Sequence, residues 1–256
     1  MILWLSTCIF SACSEKVPST TRYVSLEEYE AFGDGNLSIN SHRIRSVIDS
    51  LVRNDSDGLT ADFRTRRYYR KKGEFLWVDR HGLTSQADTL LAYLRTVGDM
   101  GFSPRRFCVP QIERDIDNVR QLNVDDRHTM SLRLARLEYY LTKAYLRYAS
   151  GQRFGYLNPT FVFNRTDSVP PDHRDTIPRP VRYRDLFDVK MDHCDDNFYE
   201  MALAKIGKDS VPAFLREIQP RSDFYRALVE EWREGRGSRE WRVKVLCNME
   251  RSRWRL

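Results

Sequence analysis

The stretch from about Met130 to Ala149 constrains this chain most, because its apolar residues recur at helical spacing for some twenty residues without a glycine or proline. Leu134, Leu137, Leu141, Ala144 and Tyr148 form one stripe, and Gly151 is the expected stop. A helix of this length must bury its stripe against other helices, so the rest of the chain has to supply them. Arg133, Arg136, Lys143 and Arg147 fall on the other side and are expected to form a solvated polar face.

Shorter amphipathic segments meet that need. Ile44, Val47, Ile48 and Leu51 share a face before the Asp57-Gly58 turn, and Thr60 to Tyr69 is expected to be helical with Phe63 and a tyrosine inward. Glu74 to Asp79 reads as a short extended segment ending at the His81-Gly82 turn. Ser85 and Asp88 offer a variant capping box for a helix carrying Ala87, Leu90, Leu91, Leu94 and Val97. Gly98 and Gly101 close it.

A helix over Pro110 to Leu122 precedes the long one. Residues 152–184 are proline-rich and are expected to be an irregular loop. Helical patterns resume near Asp196. Ser210 before Val211-Pro212, and Ser222 before Tyr225, Leu228, Val229 and Trp232, are expected caps. The expected fold is mainly α: a multi-helix scaffold with one long Pro-rich loop.

Composition agrees with a packed protein, since 41% hydrophobic and 30% charged residues in 256 place the chain outside the disordered class. The net charge of +6 permits an anionic partner, but acidic and basic residues are interspersed, so no nucleic acid is expected. His42, His81, His128, His173 and His193 are dispersed without metal-ligand spacing, and no phosphate- or dinucleotide-binding loop occurs; neither metal nor cofactor is expected.

The N-terminus is a short apolar run ending Phe10-Ser11-Ala12-Cys13. It resembles a lipoprotein signal peptide over residues 1–12, with Cys13 as the lipidated residue of the mature chain. That resemblance implies attachment to a membrane by lipid, on the periplasmic side of the cell envelope. With Cys8 removed and Cys13 lipidated, Cys108, Cys194 and Cys247 remain. They are expected as free thiols, although a Cys108–Cys194 bridge stays open.

Three blocks carry a second resemblance. Tyr69 to Phe102 includes Leu76-Trp77-Val78, Gly82-Leu83 and Gly101-Phe102. Leu134 to Tyr148 is followed by Gly151-Gln152-Arg153-Phe154-Gly155 and Asn158-Pro159. Phe224-Tyr225 with Leu228 is followed by Asn248-Met249-Glu250-Arg251-Ser252-Arg253-Trp254. In order and spacing they resemble the helical scaffold of large murein L,D-transpeptidases and the segment leading into the catalytic domain.

The resemblance implies four parts: the signal peptide, a tether with N-terminal helices over 13–58, the scaffold over 59–235, and a lead-in cut short over 236–256. It implies peptidoglycan cross-linking in intact relatives, with peptidoglycan or other cell-wall enzymes as partners. No catalytic residue is expected here. The Ser/Thr-His-Gly-Cys motif that activates a thiolate is absent, and His193-Cys194 lies among Asp192, Asp195 and Asp196, which oppose thiolate formation. Trp77, Tyr139, Tyr140, Tyr145 and Tyr148 are expected in the core. Two alternatives remain: a non-catalytic envelope adaptor or wall-binding module, and a divergent enzyme using Cys194 or Cys247.

Overall fold

The structure, a computed structural model, describes residues 41–79, 82–120, 129–164, 192 and 194–255. The expected signal peptide, Cys13, most of the 13–58 tether, His81, His128, His173, His193 and the bulk of the Pro-rich segment lie outside them.

The described chain is mainly α-helical, as its periodicity predicts. In order it forms α1 (Ser41–Asn54), α2 (Thr60–Arg70), a two-residue antiparallel ladder of β1 (Val78–Asp79) and β2 (Gly82–Leu83), then α3 (Ser85–Arg95) and two 3₁₀ turns, Thr96–Met100 and Pro104–Phe107. There follow α4 (Val109–Arg120), α5 (Thr129–Phe154), α6 (Pro159–Asn164), α7 (Asp196–Gly207), α8 (Val211–Glu217), α9 (Asp223–Glu234) and α10 (Arg239–Arg251). None of the described helices is long and apolar enough to cross a membrane.

α5 is the axis, with α1, α2, α3, α4 and α7 packed around it. Every residue from Leu141 to Ala149 is buried, so it has no solvated face along its middle. The expected polar side is therefore corrected: Lys143 is 3% exposed and Arg147 is buried, both paired with carboxylates from the chain around α2. Arg136 pairs at 3.0 Å with the buried Asp115 of α4. Trp77, Tyr139, Tyr145 and Tyr148 are core residues as expected, with Tyr140 half-buried beside them.

Glu138 organises the segment before β1. Its carboxylate is fully buried and accepts the backbone N–H groups of Leu76 at 2.5 Å, Trp77 at 2.9 Å and Val78 at 3.1 Å, together with the Tyr69 hydroxyl at 2.8 Å. Thr142, one turn later, accepts from Trp77 Nε1 at 3.0 Å. An extended stretch with too few strand neighbours thus satisfies its donors on a helix side chain.

Several local expectations shift. α5 runs through Gly151 and ends at Phe154, where Gly155 takes φ +90°. Gly151 serves close approach instead: a Cβ there would lie 2.1 Å from the Tyr156 ring. The expected loop over 152–184 accordingly starts later and contains the helical turn α6. Phe63 is 48% exposed, and Ala61, Thr65 and Tyr69 form the inward face of α2. Thr84 rather than Ser85 occupies the N-cap position of α3, without a side-chain cap bond. Ser210 holds the N-cap position of α8 without capping it, while Ser222 caps α9 through Tyr225 N at 3.1 Å.

The closing helix α10 folds back on α9, around a small second core of Tyr225, Val245 and Met249.

Candidate functional site

A concavity of about 940 Å³ opens between the α1–α2 link, the Pro104–Phe107 turn, the C-terminal end of α5 and the start of α7. Its size falls in the range of small-ligand sites. Phe102, Phe107, Phe154, Tyr156 and Tyr199 give it aromatic walls, and Arg105, Arg106, Asp57 and Asp192 bring charge to it.

One wall is a charge cluster built across α5. Asp62 receives Arg147 Nε at 2.6 Å and Nη2 at 2.9 Å, the two-point geometry in which guanidinium and carboxylate match. Asp62 also accepts Leu59 N at 3.1 Å, closing the first turn of α2. Asp57 takes a further Arg147 bond at 2.7 Å, and the Arg106 carbonyl takes another from Arg147 Nη1. One turn earlier Lys143 bridges Asp55 at 2.7 Å and Asp57 at 2.8 Å, with Tyr139 donating to Asp55 at 2.6 Å.

The titration shifts follow from this wiring. The Lys143 hydrogen bond is the main cause holding Asp57 below its usual range; burial opposes it. Burial raises Asp55, but its bonds from Lys143 and Tyr139 outweigh that and leave it lowered. Burial likewise disfavours the charge on Lys143, and the two aspartates more than restore it. The cluster is electrostatically self-satisfied and holds the wall in place.

The opposite rim is set by the closing motif. Glu250, on the last turn of α10, accepts Tyr156 N at 2.5 Å and Leu157 N at 2.7 Å. Arg253 is buried against it: Nη1 reaches Glu250 at 3.2 Å, Nη2 the Tyr225 hydroxyl at 2.8 Å and Nε the Gln152 side chain at 3.3 Å. The rings of Phe102, Tyr156 and Tyr225 lie within 5.1–5.7 Å of its guanidinium carbon. Gly155 leaves room for this junction, since a Cβ would come 2.6 Å from Trp254 and 2.9 Å from Glu250.

Cys194 sits half-buried at the cleft edge, its thiol pushed up to about 11, chiefly by burial and further by Asp195. That opposes a thiolate at neutral pH. Cys108 and Cys247 are also unpaired; Cys108 is half-buried and its thiol is raised by burial. Among the described residues no group of three His, Cys, Asp or Glu side chains is placed to hold a metal ion. The described lining can bind a ligand with apolar and charged parts, but it presents no activated nucleophile.

The sequence offered little warning of the residues that build this wall. Asp57 reads as part of a turn and Arg147 as a surface charge. The available signal was the run Thr142 to Ala149, in which Lys143 and Arg147 are the charged residues, four apart, with Ala144, Tyr145 and Leu146 between them and Tyr148 and Ala149 after.

A family model described as "Scaffold domain" matches residues 64–231. Comparison with curated proteins and with solved structures found no match.

Proposed function

The chain belongs to the Scaffold domain family, and from that premise we propose that it is the scaffold portion of a peptidoglycan L,D-transpeptidase, acting on the cell wall by binding and positioning rather than by bond making. One observation carries the reading. The blocks resembling such enzymes form one physical unit, in which Glu250 and Arg253 of the Asn-Met-Glu-Arg-Ser-Arg-Trp motif bond to the residues that follow α5 and to Gln152. A motif that leads into a catalytic domain gains from being fixed to the scaffold's central helix, because position is what a scaffold supplies. The lipid anchor at Cys13 and the periplasmic location belong to the same proposal.

The test uses purified protein and sacculi. A saturable fraction should pellet with the wall polymer, and tetrapeptide muropeptides incubated with the chain should show an unchanged profile by liquid chromatography and mass spectrometry. Failure to pellet would sink the wall assignment. A new cross-linked product that disappears in Cys194→Ala or Cys247→Ala would replace the scaffold reading with the Cys-dependent enzyme. Fatty-acid labelling in cells that persists in Cys13→Ala would remove the anchor.

The cleft favours a second reading, an envelope adaptor that holds a protein partner there. Site-specific photo-crosslinking from Leu157, an exposed residue on its lining, separates the two. Adducts to wall fragments support the wall reading, and adducts to a protein support the adaptor.

A further inference from the structure

A second pocket, about 360 Å³, lies between the end of α5, the α8–α9 link and the residues after α10. Four arginines line it, Arg153, Arg221, Arg253 and Arg255, against one carboxylate, Glu217. Arg253 is neutralised by Glu250 at the back. The remaining lining charges are three positive and one negative, a surplus of two in a concave space.

Of the three, only Arg255 serves a helix C-terminus, the ordinary role of cations there. Other carbonyls near the helix ends have their own partners: Gly155 N bonds Gly151 O, Ser252 N bonds Asn248 O, Trp254 N bonds Arg251 O and Gln219 Nε2 bonds Leu215 O. Arg255 gives only its Nε to the Arg153 carbonyl, at 3.2 Å. The Arg153 and Arg221 guanidinium groups donate to no described residue. Burial, and after it the charge of Arg153, lowers Arg255, with Asp192 pulling the other way. Like charges held together in partial desolvation are relieved by an anion.

We propose that Arg153, Arg221 and Arg255 form a binding site for a single oxyanion group, a carboxylate or a phosphate, whose attached chain lies on Trp254 and Pro220. Guanidinium groups match such anions by two-point hydrogen bonding, and the concave shape admits one group on a chain rather than a flat charged surface. The site stands independently of the cell-wall reading.

Calorimetric titration of the full chain at low ionic strength with inorganic phosphate, and with phenyl phosphate, reads the site. Binding should be saturable with one site, tighter for phenyl phosphate, and weakened about tenfold by loss of one charge-assisted contact in Arg153→Gln or Arg221→Gln. Arg221 is exposed, so its variant tests the site without disturbing the core. No saturable binding, or equal binding by both variants and the parent, overturns the proposal. Equal affinity for the two phosphates overturns the role of Trp254 and Pro220. Competition by phosphate against sacculus pelleting places the anion on the wall polymer, while undiminished pelleting alongside intact phosphate binding makes it a free anion. Phosphate binding without any pelleting leaves the pocket standing and removes the wall reading.

Discussion

Glu138 is the residue whose charge state matters most to the interior. Burial raises its carboxyl to about 7, against the pull of three backbone N–H groups and Tyr69. The folded form therefore holds a proton more tightly than the unfolded chain. Its contribution to stability is complete below the unfolded value near 4.5 and is lost as pH rises through about 7, a change on the order of 3 kcal/mol. Urea midpoints should fall between pH 5 and 8 in the parent, and that slope should vanish in Glu138→Gln; a slope unchanged in the variant would assign it elsewhere. The lowered Asp55 and Asp57 act in a different window, their stabilisation present above about pH 4 and lost in acid.

The Asp62–Arg147 pair poses a different case, a buried guanidinium held by a buried carboxylate. Asp62 is fully buried, so Asp62→Asn strands a buried guanidinium and should cost about 3 kcal/mol, the low end for a broken buried pair because Asp57 remains. By contrast, the exposed Arg67–Asp196 contact should be worth under about 1 kcal/mol in Arg67→Ala. Chemical denaturation of both variants measures the difference. Neither pairing was legible in the sequence, because Asp62 stands 85 positions before Arg147 and only the fold brings them together.

Among the elements, the helices were legible and their ends were not. Apolar spacing of three and four residues located α1, α3, α5 and α9 because burial on one side imposes that period. The end of α5 was misplaced since Gly151, a residue that ordinarily stops a helix, is required there for the approach of Tyr156. Gly155 is the true stop, left-handed at φ +90° and pressed against Trp254. Gly155→Ala should lower stability by about 1–2 kcal/mol from the backbone alone, with more from the contact. Melting temperature is the readout, and α10 should loosen with it, as Glu250 would lose its geometry to Tyr156 and Leu157.

At the scale of the molecule, the described residues form two cores that differ in size. The larger joins α1–α5, α7 and α8, whereas α9 and α10 enclose only Tyr225, Val245 and Met249 with a few half-buried neighbours. The hairpin is fastened to the body by Arg253 Nε on the Gln152 side chain at 3.3 Å, by Trp232 Nε1 on the Gly98 carbonyl at 2.9 Å, and by Arg233 on Asp99 at 2.6 Å. Hydrogen exchange should find α9 and α10 opening at lower free energy than α5. Met249→Ala should abolish protection in α9 and α10 while α5 keeps its own; loss throughout would mean a single cooperative unit. The helical body was readable from composition and period, but the cleft was not, because its walls come from segments far apart in the chain.

The Glu138 carboxylate also decides how far this segment can extend as a sheet. In a helical protein the Leu76–Val78 stretch is the one described extended segment with consecutive donors, and unpaired donors in extended chain recruit strands from other copies. Glu138 absorbs all three N–H groups, while β2 covers the ladder beyond. A side chain of the central helix thereby takes the place of a neighbouring strand, and the two-residue ladder is left with no free donors on that side from which to grow.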